Sequence, residues 1–128
     1  MGTTQMRFRS GLEERTAKYL KKLKVKFTYE KLKIRWQDLR YRTYTPDFVL
    51  ANGIIVETKG RFITSDRQKH LMIKEQHPDL DIRFVFSNPN SKLYKGSKTT
   101  YAGWCDKHGF KWAKEEIPLE WIKERKGT

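Results

Sequence analysis

The chain has 128 residues, a length that suits one domain able to bury roughly two-thirds of its unfolded surface. Its 28 Lys and Arg against 15 Asp and Glu leave a formal charge of +13, which calls for a densely negative partner and places nucleic acid ahead of a membrane surface. Aromatic residues at 13% in periodic patterns argue against disorder, no apolar run approaches the ~20 residues of a membrane span, and the single Cys105 excludes an internal disulfide and fits a reducing cytoplasm.

Along the chain, the first nine residues lack the apolar core of a secretory leader. Ser10-Gly11-Leu12-Glu13 has capping-box spacing, and Leu12, Tyr19, Leu20 and Leu23 give a helical stripe to about Lys22. Val25, Phe27 and Tyr29 alternate with polar residues, as in a strand with one wet face. Two further strands are expected at about 43–50 and 54–59. A helix capped by Thr64 or Ser65 runs through Gln76 and stops at Pro78. Ile82–Phe86 is the next strand, so that strand, helix and strand form a parallel βαβ unit. A short helix at about 100–108 ends at Gly109, residues 110–113 are extended, and Pro118 opens a last helix. The resulting order is αβββαβαβα, an α/β (α+β) chain with a mixed sheet flanked by helices.

The most informative stretch runs from Tyr44 to Lys59, with Asp47 before a hairpin turn and Glu57 and Lys59 after it. Glu57 and Lys59 share one strand face, and Ile54, Ile55 and Val56 make that strand apolar enough to be covered on both faces. An acid and a lysine ending such a strand are costly to bury unless they have a task. Two acids for a divalent cation beside a lysine are the parts needed to hydrolyse a phosphodiester. The turn decides whether they meet. A two-residue Asn52-Gly53 turn pairs Ala51 with Ile54 and sends Asp47 to the face away from Glu57. A three-residue loop, Ala51-Asn52-Gly53 with Gly53 left-handed, pairs Leu50 with Ile54 and sets Asp47 opposite Glu57. Cross-strand neighbours then have β-carbons roughly 5 Å apart. The three-residue loop is the expected one.

Pro46-Asp47 followed by Glu57-Thr58-Lys59 resembles the motif of the PD-(D/E)xK nucleases. The surrounding text is more specific: Phe8-Arg9-Ser10-Gly11-Leu12-Glu13, Tyr44-Thr45-Pro46-Asp47-Phe48, Val56-Glu57-Thr58-Lys59-Gly60, Glu75-Gln76-His77-Pro78 and Leu93-Tyr94-Lys95-Gly96-Ser97 occur in order. Together they are similar to the endonuclease I family of the T-odd bacteriophages, phage Holliday-junction resolvases, from about Phe8 to Lys123. The resemblance implies a restriction-endonuclease-like core and a metal-dependent endodeoxyribonuclease acting on branched double-stranded DNA, in the host cytoplasm if the chain is phage-encoded. It further implies Mg²⁺ or Mn²⁺, two per site, held by Asp47, Glu57, the Thr58 carbonyl and Glu13. Lys59 then serves the attacking water, and the products are 5′-phosphate and 3′-hydroxyl ends.

Glu13 carries two readings that do not exclude each other, an N-terminal cap and a ligand of the second metal. Two cuts call for a symmetric homodimer. The family implies a domain-swapped one, with 31–43 as the bridge and Glu13 reaching the site of the other protomer. That bridge departs from the family pattern in containing no proline. Basic residues crowd Arg15 to Arg42, with eleven Lys and Arg against Glu30 and Asp38. Arg7, Arg9, Lys33, Arg35, Arg61, Lys92 and Lys95 are the candidate DNA contacts, made to phosphates and directed by shape. His70 is a further candidate to touch a phosphate. The four tryptophans read as core or interface rather than stacking platforms. A nuclease of the same core acting on ordinary duplex, and a non-catalytic basic DNA-binding protein, are the competing readings.

Overall fold

The computed structural model describes residues 7–37 and 40–125. In chain order these form α1 (Gly11–Lys22), β1 (Phe27–Tyr29), β2 (Ile34–Gln37), β3 (Tyr41–Tyr44), β4 (Phe48–Leu50), β5 (Ile55–Lys59), α2 (Thr64–Gln76), β6 (Ile82–Phe86), α3 (Tyr101–His108), β7 (Trp112–Lys114) and α4 (Leu119–Lys123). One five-stranded sheet has the order β1-β4-β5-β6-β7. Its β1-β4 and β4-β5 pairs are antiparallel, and its β5-β6 and β6-β7 pairs are parallel. The chain is thus a mixed α+β fold with a mixed sheet flanked by helices.

The two sheet faces bury different halves of the core. On one, Ala17 and Leu20 of α1 and Trp121 of α4 meet Phe48, Val56, Val85 and Ile117. On the other, Ile73 of α2 and Trp104 and Cys105 of α3 meet Ile55, Phe84 and Phe86. Because β5 and β6 are covered on both faces, every residue in them except the half-buried Lys59 is buried, and the start of β5 and nearly all of β6 are apolar. Arg83 is the exception in β6, and its guanidinium is gripped by Asp81 at 2.7 and 2.9 Å and by Glu124 at 2.8 and 2.9 Å. A buried charge persists only with such pairing. Trp36, Trp104 and Trp121 are buried and Trp112 is half-buried, so none of the tryptophans is a free stacking surface.

The expected order αβββαβαβα lacks two strands that the chain forms. Residues 31–43, read as a bridge, contain β2 and lead into β3, a separate antiparallel hairpin in which Ile34 pairs with Tyr44 and Gln37 with Tyr41. Ile34 and Trp36 are buried while Arg35 and Gln37 are exposed, the period-two pattern of a strand with one wet face. The hairpin leans on α2 of its own chain. The Gln37 N–H donates to the Gln76 side-chain oxygen, the Gln76 amide donates to the Gln37 carbonyl, and His77 Nε2 lies 2.5 Å from the Arg35 carbonyl. The single strand expected over 43–50 is divided, since Tyr44 ends β3 in one sheet and Phe48 begins β4 in another. Pro46 stands between them and has no N–H to offer a ladder.

Helix ends follow local chemistry with one change. Ser10 Oγ accepts the Glu13 N–H at 3.1 Å, Thr100 Oγ accepts the Gly103 N–H at 3.0 Å, and Gly109 closes α3 at φ 77°. Neither Thr64 nor Ser65 caps α2. The Asp66 carboxylate accepts the Ile63 N–H at 3.3 Å instead, and the Thr64 hydroxyl receives the Arg67 guanidinium at 3.0 Å.

Candidate active site

Gly53 has φ 90°, the Gly53 N–H donates to the Leu50 carbonyl at 2.9 Å, and the Leu50 N–H donates to the Ile54 carbonyl at 2.9 Å. Phe48 pairs with Val56 and Val49 with Ile55. This is the three-residue loop, and its register extended by one pair sets Asp47 across from Glu57. Asn52 fixes the loop further by donating to the Trp121 and Glu124 carbonyls, each at 2.8 Å. Gly53→Ala should cost about 1 kcal/mol, because a β-carbon is disfavoured at that φ. The expected result is a lower urea midpoint with an unchanged m value.

The two carboxylates interlock. The Asp47 N–H donates to Glu57 Oε2 at 2.9 Å, while Asp47 Oδ2 accepts the Thr58 N–H at 2.9 Å and the Thr58 hydroxyl at 3.0 Å. Burial pushes the Asp47 carboxyl up to about 6, against the lowering effect of the Thr58 hydrogen bonds. Burial likewise pushes Glu57 up to about 7, helped by the charge of Asp47 and opposed by Lys59. Two neighbouring acids that resist ionisation mark a place short of positive charge.

Lys59 supplies part of that charge. Its Nζ lies 4.0 Å from Glu57 Oε1 and 3.5 Å from Asp66 Oδ1. His70 lies beneath Glu57 with Nε2 at 3.9 Å from Oε1, fully buried between the edges of Tyr44 and Phe84. Burial holds its imidazole well below the ordinary pKa, so it is neutral. The expectation that His70 touches a phosphate is therefore corrected: no solvent path reaches it, and it lines the floor of the site.

Glu13 completes the site from α1. It is buried, and its Oε1 accepts the Arg9 N–H at 3.1 Å and the Tyr29 hydroxyl. The capping box is thus half formed: Ser10 receives the Glu13 N–H, while the Glu13 carboxylate turns to Arg9 rather than Ser10. Carboxylate oxygens of Glu13, Glu30 and Asp47 all lie within 4.8 Å of one another. Three hard oxygen donors without sulfur or imidazole suit Mg²⁺ or Mn²⁺ rather than zinc. A divalent cation there would also offset the buried negative charge that raises Asp47.

The model of the family described as phage endonuclease I matches residues 1–128. The chain belongs to that family. Endonuclease I of Escherichia phage T7 is 56% identical over 120 residues, covering 93% of this chain and 80% of the relative. Endodeoxyribonuclease 1 of Enterobacteria phage T3 is 52% identical over 120 residues, covering 93% of this chain and 79% of the relative.

In this member of the phage endonuclease I family, Glu30 is a site residue that the sequence did not single out. It follows β1, whose pairs Thr28 with Val49 and Tyr29 with Phe48, extended by one, set Glu30 across from Asp47. The Glu30 N–H donates to the Asp47 carbonyl at 3.1 Å. Glu30, Asp47 and Glu57 therefore form one row across three adjacent strands. A signal existed only in the β1-β4 register, which no local motif announces. Glu30 also has φ 48°, a left-handed conformation that turns the chain out of β1 at this point.

The candidate phosphate contacts Arg7, Arg9, Lys33, Arg35, Arg61, Lys92 and Lys95 are all exposed. Arg9 lies at the rim of the acidic cluster, 3.6 Å from Glu30, and Arg61 follows two residues after Lys59. Lys33 and Arg35 belong to the hairpin region. There Lys33 Nζ donates to the Thr45 hydroxyl at 3.3 Å and the Arg35 guanidinium stacks 4.6 Å from the centre of the Tyr41 ring. Lys92 and Lys95 lie in the connection between β6 and α3, away from the row of acids in the chain. No helix among the described residues is long and apolar enough to cross a membrane.

Proposed function

We propose that the chain is a structure-selective endodeoxyribonuclease that resolves four-way and other branched DNA junctions by metal-dependent phosphodiester hydrolysis in the cytoplasm of an infected cell. The observation that carries this reading is the row of acids with Asp47 and Glu57 interlocked and Lys59 within 4.0 Å of Glu57. The T3 relative is an endodeoxyribonuclease by name, which points to DNA as the substrate class. The +13 charge suits a polyanion of that kind.

In this reading Asp47, Glu57 and the Thr58 carbonyl would hold one Mg²⁺ or Mn²⁺, and Asp47 with Glu13 would hold a second. When bound, the metals lower the pKa of water and stabilise negative charge on the leaving oxygen. The residues do the positioning. Thr58 pins Asp47 by two hydrogen bonds, and the Asp47 N–H pins Glu57, so neither carboxylate needs to reorganise as charge builds. Lys59 orients the attacking water and balances charge on phosphorus. The water oxygen, giving up its proton to solvent, bonds to phosphorus as the bond to the 3′ oxygen breaks, and that oxygen takes a proton from solvent, leaving a 5′-phosphate and a 3′-hydroxyl. Tyr29 and the Arg9 N–H hold Glu13 toward Asp47.

Two cuts per junction need two sites, so the working form is a symmetric homodimer. In an exchanged dimer, residues 31–43 would connect the protomers and Glu13 would make the same contacts across chains that it makes within one.

The test incubates the protein with a labelled four-way junction and with a linear duplex of one arm's sequence, each in Mg²⁺ and in EDTA. Paired nicks near the crossover in Mg²⁺ alone are expected, with the duplex cut at least tenfold more slowly. Equal cutting of both substrates overturns branch selectivity, and binding without cleavage overturns the enzyme.

A further inference from the structure

Between the β2-β3 hairpin and the first half of α2 lies a cleft of about 210 Å³, lined by Trp36 and Arg42 on one side and by Ser65, Asp66, Lys69 and Met72 on the other. At ~30 Å³ per water it has the volume of about seven waters, more than a lone ion needs. The cleft adjoins the row of acids, because Asp66 on its wall is the ion-pair partner of Lys59 at 3.5 Å. Asp66 is engaged twice, with Lys59 Nζ and with the Ile63 N–H, so its charge is already balanced.

Lys69 behaves differently from an ordinary surface lysine. Its side chain is half-buried and its Nζ rests 5.0 Å from the centre of the Tyr44 ring, an aromatic contact, with no ion pair to it among the described residues. Burial lowers its pKa, and Lys59 lowers it further, while Glu57, Asp66 and Asp47 act to keep it charged. A partly desolvated ammonium without a bonded anion binds an incoming anion more strongly than a solvated one does. Across the cleft, the Arg42 guanidinium lies 5.2 Å from the centre of the Trp36 ring, which leaves its planar fork backed by an apolar surface.

We propose that this cleft is a phosphate subsite, in which Lys69, with Arg42 on the facing wall, holds a backbone phosphate next to the scissile one on the strand being cut. The proposal rests on the nuclease reading above and adds to it where the substrate strand runs. From Lys59 it passes toward α2 and the hairpin rather than along the outer edge of β1. It also gives the β2-β3 hairpin a task besides linking α1 and β1 to the rest of the fold, since the hairpin forms one wall of the channel.

The experiment measures binding of a fluorescent four-way junction by anisotropy in EDTA, so that no cleavage intervenes, for the parent, Lys69→Gln, Arg42→Gln and the remote control Lys123→Gln. Loss of one phosphate contact should reduce the slope of log K against log salt by roughly 0.9 for each cleft variant. Affinity should fall roughly five- to tenfold, about 1–1.4 kcal/mol. The control should keep the parent slope. In Mg²⁺ the cleft variants should raise KM by a similar factor while the single-turnover rate at saturating protein stays within threefold of the parent.

A lower melting temperature with an unchanged slope in both cleft variants overturns the subsite, since a merely structural role does not alter counterion release. If the parent binds the junction yet cuts nothing, the nuclease reading falls while the slope still decides whether Lys69 contacts phosphate. If the parent cuts and both cleft variants keep its slope, the subsite alone falls. A parent without DNA affinity overturns both.

Discussion

Glu57→Gln should make the metal-free protein more stable at pH 8.5 than the parent, by about 3 kcal/mol. The carboxyl of Glu57 has a pKa of about 7 in the fold against an ordinary 4.5, and that difference corresponds to about 3 kcal/mol. The sign follows from which state binds the proton more tightly. The fold does so here, because burial and Asp47 oppose ionisation, so this group's contribution is fully present below about pH 4.5 and is lost as the pH rises through about 7. Asp47, raised to about 6 from 3.8, acts in the same direction. The two interact, so their losses belong to the pair rather than to either residue alone. Glutamine can still accept the Asp47 N–H, which keeps the geometry while removing the charge. Urea unfolding in EDTA at pH 5 and pH 8.5 checks this: the parent should lose stability relative to the variant between the two, and a constant difference would sink the account. Excess Mg²⁺ or Mn²⁺ at pH 8.5 should stabilise the parent more than the variant, which keeps Glu13, Glu30 and Asp47 but has lost one carboxylate.

Lys59→Met is expected to lose cleavage by roughly 10²- to 10⁴-fold at saturating metal, the range found when one positioned proton-transfer or charge-stabilising group is removed. The methylene stem is retained, so packing against α2 is little disturbed. The ammonium is not, and with it goes the cation 4.0 Å from Glu57 and 3.5 Å from Asp66. Metal affinity should hold or rise, because a competing positive charge has left the site. Single-turnover rates over a metal titration separate the two effects. A variant within tenfold of the parent at saturating metal would show that Lys59 balances charge in the resting protein and does nothing in the reaction.

The hairpin of β4 and β5 was legible because its information is local: Gly53 can take a left-handed φ, and a three-residue loop then fixes every pair along both strands. The same holds for α1, α3 and β6, where caps and apolar periods sit within a few residues of each other. What stayed hidden depends on long-range pairing. Glu30 enters the site only through the β1-β4 register, which nothing near Glu30 encodes. Ile34 and Trp36 do alternate with polar residues, but lysines and arginines dominate the segment and no Gly or Asn marks a turn, so its strands read as a charged connection. His70 shows the converse. Among polar neighbours in α2 it looks like a surface residue, and only the fold reveals that it lies under Glu57.

Loops between antiparallel strands ordinarily absorb insertions and deletions at small cost, since closure entropy changes slowly with length. The loop at Ala51, Asn52 and Gly53 is an exception of an uncommon kind. Adding one residue, so that the three-residue loop re-forms with Ala51 paired to Ile54, could leave every acid and lysine in the chain, and nearly all of its hydrophobic burial, yet turn Asp47 to the opposite side of the sheet from Glu57. The length of this connector is therefore as much a part of the active site as the carboxylates are. A one-residue insertion after Ala51, which re-forms the three-residue loop with Ala51 paired to Ile54, should give a folded protein whose side-chain inventory is complete and whose chemistry is absent.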